Sequence, residues 1–404
     1  MKRCILMILG LTVLAMVLVG CSSNTKWERP VRTPQVVQTG SGVTVKSASD
    51  WAAAHPDIYA SYMKNADNSD FYSYPETYPM LAVIYEGSPF SRFYNSARGH
   101  VYTLEDLNAT GRPHPFSNCY ACKTPDFHAY ANEVGVEAYA TAFADLADRI
   151  TNPVSCFNCH ANEPGSLTVT HTYLYDAMGP DFYSVDPIKL ACAQCHVEYY
   201  FDPATRAVTL PYTNFDVMDP ESILAFYNEI DFADYTNPRT GVRQLKVQHP
   251  EFETFSGQGT VHGNQFNCAD CHMGTATNAR GKTFANHEWR SPLQNPDLVK
   301  NNCAACHTDL AADVKRIQDV THSRLDTVGQ SLVELTEELV AAVGRNIPAA
   351  RLDPIRKAAR DAQFYWDFVF VENSDGAHNS RLTNQCLDKS QALVNEAMAL
   401  LANL

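Results

Sequence analysis

The chain has 404 residues, with 45 acidic and 31 basic side chains and a formal charge of −14 at pH 7. That balance excludes nucleic acid as a partner, because phosphate recognition needs a basic surface. The unusual feature is thirteen cysteines and fourteen histidines, and their placement decides the chemistry.

Lys2 and Arg3 precede an apolar run from Ile5 to Gly20 that ends in Leu18-Val19-Gly20-Cys21. The charged start and the run length predict an export signal over residues 1–20, short for a membrane-spanning helix. Small residues before Cys21 resemble a bacterial lipoprotein signal, which implies cleavage before Cys21 and lipid on its thiol. Ordinary secretory cleavage nearby, or an uncleaved anchor, are the alternatives. All three place the folded part outside the cytoplasm. Cleavage takes two basic residues away, so the mature charge becomes −16. Residues 21–47, rich in Ser, Thr, Val, Gln and Gly, read as a tether.

Five motifs follow between 119 and 307. Four are Cys-x-x-Cys-His: Cys156, Cys159, His160; Cys192, Cys195, His196; Cys268, Cys271, His272; Cys303, Cys306, His307. The first in chain order ends in lysine instead, as Cys119, Cys122, Lys123. Cys-x-x-Cys-His is the attachment signature of haem c, with two thioethers to the porphyrin and the histidine on the iron. Zinc ribbons need a second ligand pair at short regular spacing. Here the motifs start 35 to 76 residues apart, and a basic residue follows each pair. The cofactor expectation is five covalently bound haem c groups.

Pro, Gly, Asn, Asp, Tyr and Phe fill the segments between motifs, and strand signals are scarce. Residues 48–308 therefore read as one haem-binding unit of loops and short helices. After His307 the texture changes. Leu310 to Gly344 has few breakers, and Val328, Leu332, Leu335, Leu339 and Val343 recur at helical spacing. Further helices are expected over about 353–371, opening at Asp353-Pro354, and about 381–401. The fold class is mainly α: a multihaem cytochrome c fold with long C-terminal helices over 309–404. The long apolar stripe either covers the haem unit or forms a homodimer interface. Cys386, outside every motif, reads as a buried inert thiol in a helix.

Two histidines saturate a haem iron and leave it only electrons to pass. Ten histidines lie outside the motifs, enough to pair the four histidine-ended haems. Lysine binds iron only as the neutral amine. Lys123 is longer than histidine and a pure σ-donor, so its haem differs from the other four. It is either an unusual carrier in an electron conduit or a catalytic centre with an open face.

Several strings carry a resemblance: the lysine motif followed by four histidine motifs, Tyr94-Asn95-Ser96-Ala97-Arg98-Gly99-His100, Cys192 through Phe201, and Lys246-Val247-Gln248-His249-Pro250-Glu251. The chain is similar in these to the ammonia-forming cytochrome c nitrite reductases, over nearly the whole mature length. The resemblance implies six-electron, eight-proton reduction of nitrite to ammonium at the Lys123 haem. It implies distal ligands: His100 for the haem at Cys192, His287 for that at Cys156, His378 for that at Cys268 and His262 for that at Cys303. Tyr199 and His249 would deliver protons over the open face. Glu198, the backbones of Tyr199 and Lys246, and the Gln248 side-chain oxygen would hold one calcium ion. A membrane-bound multihaem quinol dehydrogenase would be the electron donor, and sulfite a secondary substrate. An octahaem relative would need eight motifs.

One departure stands out. The family's distal arginine precedes a Thr-Gly pair upstream of the lysine motif. Here that place reads Ala109-Thr110-Gly111, and the arginine follows as Arg112. Arg112 is the expected anion ligand, reaching in from a shifted loop, while Arg98 is expected to be structural.

Overall fold

The computed structural model describes residues 35–36, 43–257 and 259–404. The expected leader, Cys21 and most of the tether lie outside them. Among the described residues no helix is long and apolar enough to cross a membrane.

Residues 43–308 are built from helices of at most ten residues and two- or three-residue strand pairs. Prolines and side-chain caps open many of the helices: Thr124 caps Pro125–Val134, Asp186 caps Pro187–Ala193 and Asp219 caps Pro220–Glu229. Each cap accepts an end N–H, and each proline fits the first turn where no N–H partner is needed. Frequent starts and early stops keep the chain turning. This leaves the Cys-x-x-Cys motifs on single turns, such as Cys156–His160 and Cys268–His272.

Two hairpins matter most. Tyr200–Phe201 pairs antiparallel with Val208–Thr209, immediately after Glu198 and Tyr199. Tyr235–Thr236 pairs antiparallel with Arg243–Gln244, immediately before Lys246. The helix Glu251–Ser256 then begins two residues after His249.

Three long helices complete the chain: Leu310–Gly344, Ala349–Phe370 and Ser380–Ala402. The second starts four residues ahead of the Asp353-Pro354 signal. Pro354 lies in its second turn, where the helix gives up one backbone hydrogen bond. The expected stripe on the first helix is buried at Val328, Leu332, Leu335 and Leu339. It packs on the second helix and on Leu81–Ile84, so this chain itself covers it. Trp366 stacks on Phe370 with centroids 4.7 Å apart and donates its Nε1–H to the Leu325 carbonyl at 2.9 Å. Gly329 permits that approach, since a Cβ there would stand 2.2 Å from Met80 Sδ. Cys386 is a buried free thiol in the third helix, and burial pushes its pKa up to about 12.

Candidate active site

None of the ten motif cysteines is engaged in a disulfide. A metal–imidazole bond is about 2.0–2.1 Å and the ring centre lies about 1.1 Å further out, so two imidazoles across one iron have centres about 6.3 Å apart. His100 and His196 are 6.1 Å apart, His160 and His287 6.3 Å, His262 and His307 6.0 Å, and His272 and His378 6.0 Å. These four pairs fit an iron between them. His196 also stands 6.0 Å from His249, but Glu251 lies on the Nδ1 side of both, 3.6 Å from His196 and 4.0 Å from His249.

Lys123 closes the first motif, its amide donating to the Tyr120 carbonyl at 2.9 Å. Thr103 Oγ1 donates to the Lys123 carbonyl at 2.8 Å and accepts the Val154 amide at 3.1 Å, tying the turn to the next motif's approach. His128 and His171, two of the histidines outside the motifs, are both buried with Nε2 at 2.6 and 2.8 Å from the Ala121 carbonyl inside the lysine motif.

Three other expected residues converge on this motif. Arg112 sits with its guanidinium 4.4 Å over the Phe90 ring. Burial lowers its pKa, and its charge acts on Tyr94, Cys119 and Tyr199. Among the described residues it has no carboxylate ion-pair partner, whereas Arg98 bonds Asp106 and Glu105 at 2.8 Å and stacks on Tyr102. Burial raises the Tyr199 phenol well above its ordinary value, with Glu198 adding and Arg112 opposing. It stays a neutral donor. Burial likewise pushes His249 down to about 4, with the Glu251 carboxylate opposing. His249 is therefore a neutral imidazole at pH 7, carrying one donor and one acceptor.

Behind this face lie the expected calcium ligands. Glu198 is buried; its carboxylate accepts from Tyr227 Oη at 2.8 Å and from the Gln248 amide at 2.6 Å. Burial raises its pKa strongly, with Glu253 and Asp234 adding, which is where a cation is most useful. The Gln248 side-chain amide end lies 2.9 Å from the Lys246 carbonyl. With that amide turned over, the two oxygens have the separation of neighbouring calcium ligands, about 3 Å for oxygens bound at 2.3–2.6 Å. The donor set fits a hard cation.

The Lys246 side chain points away, to Asp367 on the second long helix at 3.1 and 3.2 Å. Asp367 also accepts the Val247 amide at 2.9 Å and the Tyr85 hydroxyl. Burial drives both partners toward neutrality, Lys246 down and Asp367 up, and their pairing resists it. Asp367 thus clamps the Lys246–Gln248 segment. No sequence signal announces it, because it lies about 120 residues away on a helix that reads as packing. Glu251 was visible only as part of a string. Here it accepts the Asn373 amide at 3.2 Å, and its position beside His196 lowers its pKa against the effect of burial.

The family model for cytochrome c552 matches residues 47–404. A structure of cytochrome c nitrite reductase from Desulfovibrio desulfuricans, described for the two calcium sites of its catalytic subunit, is 27% identical. It superposes with a TM-score of 0.80 over 90% of this chain and 88% of that one. An outer cell wall cytochrome is 19% identical with a TM-score of 0.41, over 73% of this chain and 48% of that one. An undecahaem cytochrome from the S-layer of Carboxydothermus ferrireducens is 17% identical with a TM-score of 0.39, over 74% and 41%.

Proposed function

The chain belongs to the cytochrome c552 family, and from that premise we propose that it reduces nitrite to ammonium at the Lys123 haem. The balance is one nitrite, six electrons and eight protons to one ammonium and two waters. One observation carries the reading. Each motif histidine has a partner histidine about 6 Å away, while His128 and His171 turn Nε2 to the Ala121 carbonyl of the lysine motif and Arg112, Tyr199 and His249 lie within electrostatic range of its cysteines.

When bound there, the haem supplies a redox-active iron with a face for nitrite, and the other four haems supply the electrons. Cys119 and Cys122 would anchor it and Lys123 would ligate it. Arg112 draws the anion through an otherwise acidic protein and orients its oxygens; a guanidinium with no carboxylate partner among the described residues can take them. Tyr199 O–H and a ring N–H of His249 can donate hydrogen bonds to the bound oxygens, and the acceptor nitrogen of His249 can take a proton from solvent and pass it, as imidazolium, to a departing oxygen. Calcium on Glu198, Tyr199 O, Lys246 O and Gln248 Oε1 would add positive field behind the donors. His100, His287, His378 and His262 are the distal ligands in this reading. Export, lipid on Cys21, homodimerisation and a membrane-bound multihaem quinol dehydrogenase as donor belong to the same proposal. A dimer contact would use the outer face of the first long helix, since its apolar stripe is already buried.

The test is the resting ferric holoenzyme. We expect one high-spin haem signal that nitrite or cyanide perturbs, and one ammonium per six electrons from a reduced viologen. An all low-spin spectrum indifferent to both anions would overturn the reading.

A further inference from the structure

The imidazoles read as iron ligands are not held alike at Nδ1. His160 meets the Ser166 carbonyl at 2.6 Å, His272 the Arg290 carbonyl at 3.0 Å and His287 the Ala285 carbonyl at 2.9 Å. His196 and His307 have carboxylates at 3.6 Å, the latter from the exposed Asp313. His378 differs: its Nδ1 lies 2.6 Å from Glu372 Oε1, and Glu372 is only 3% exposed.

The loop between the second and third long helices builds this contact rigidly. Ser374 Oγ donates to the other Glu372 oxygen and accepts the His378 amide at 2.9 Å. Asp375 and Gly376 both take positive φ, 53° and 89°, and a Cβ at Gly376 would stand 2.6 Å from Thr321 Oγ1. Asn379 then caps the third helix through the Leu382 amide at 3.1 Å. The neighbouring Asn373 amide bonds Glu251, so the loop is pinned on both sides.

A carboxylate is a stronger acceptor than a peptide carbonyl. It draws the Nδ1 proton, makes Nε2 a better donor to the metal, and places an unscreened negative charge beside it. All three favour the ferric over the ferrous state. We propose that Glu372 is a positioning residue: it fixes the tautomer of His378 and lowers the reduction potential of the haem carried by Cys268, Cys271 and His272. That haem would hold an electron least readily and so relay electrons instead of storing them. The inference rests on the reading of His378 as that haem's distal ligand.

The experiment is a potentiometric titration of the fully haem-loaded holoenzyme, followed by optical and EPR spectroscopy. His378→Met first identifies the low-spin component belonging to this haem. Glu372→Gln keeps the shape and removes the charge. We expect that component alone to become easier to reduce, by about tenfold in its reduced-to-oxidised ratio at fixed potential, or about 59 mV for one electron. If Glu372→Gln does not load haem, Ser374→Ala, which loosens the carboxylate, should move the same component the same way by about threefold, half as far in millivolts. An unmoved component, or movement of a different haem, overturns the proposal while His378 remains a ligand. If His378→Met leaves every low-spin component unchanged, the ligand assignment falls and takes this inference with it.

Discussion

Residues 43–308 and the three long helices solve stability in opposite ways. The first region has helices of ten residues or fewer and strands of two or three, too short to stand alone. Its buried side chains include many polar ones that hold turns, such as Ser117, Asn158, Gln194 and Glu253. The second has helices of 35, 22 and 23 residues with a largely apolar interior that a few buried polar groups, Gln363, Asp367 and Ser390 among them, interrupt. The contrast shows a division of labour. Short elements keep the Cys-x-x-Cys motifs on turns, where direction can change at each residue, and the long helices supply a wall that reaches back through Asp367 and the 372–378 loop.

The most drastic way to break this comparison is to replace all ten motif cysteines with serine. We expect the region before Leu310 to lose protease protection entirely, while a fragment spanning the long helices persists. Uniform protection along the chain would sink the contrast. Next, His249→Asn should cut nitrite turnover by about 10²–10³-fold through loss of a positioned proton donor, with unchanged haem content by absorbance. Leu339→Ala, at a fully buried position of the long-helix interior, should cost about 2–5 kcal/mol in denaturant unfolding and leave turnover of the folded enzyme alone. Arg112→Ala should raise the nitrite KM by about 10–100-fold, the loss of about 1.5–3 kcal/mol of charge-assisted hydrogen bonding. Unchanged affinity would remove Arg112 from the site.

The last test is a pH slope. Burial raises Glu253 to about 8, while its hydrogen bonds from Tyr212 Oη at 2.8 Å and the Glu198 amide at 3.0 Å oppose the shift. Between about 4.5 and 8 the unfolded chain has lost this proton and the folded one keeps it. The folded state binds more protons, so stability falls as pH rises through that window, by at most about 1.4 kcal/mol per pH unit. Glu253→Gln should flatten that part of a stability-versus-pH curve. A slope identical to the parent would place the titrating group elsewhere.

Much of the candidate site could be read from the chain because its chemistry is local. A Cys-x-x-Cys turn carries its own basic residue, and Glu198–Tyr199 and Lys246–His249 are short strings that two hairpins bring together. The displaced Arg112 could be named but not placed. Its reach to Tyr199 depends on the loop before Cys119 and on Phe90 beneath it. The partners that hold these groups were invisible. Asp367, Glu372, His128 and His171 are ordinary residues in their own segments, and only the packing gives each its target.

Sequence alone determined the family to which the chain belongs, the mainly helical architecture and the extent of the long helices to within a few residues. These follow from spacing, caps and apolar periodicity, all properties of neighbours along the chain. Tertiary structure decided which face of the first long helix is buried, which ring Arg112 stacks on, and which imidazoles lean on carboxylates. Those are relations between segments separated by tens to hundreds of residues, and a hydrogen bond or ion pair depends on distance in space, which no local pattern encodes.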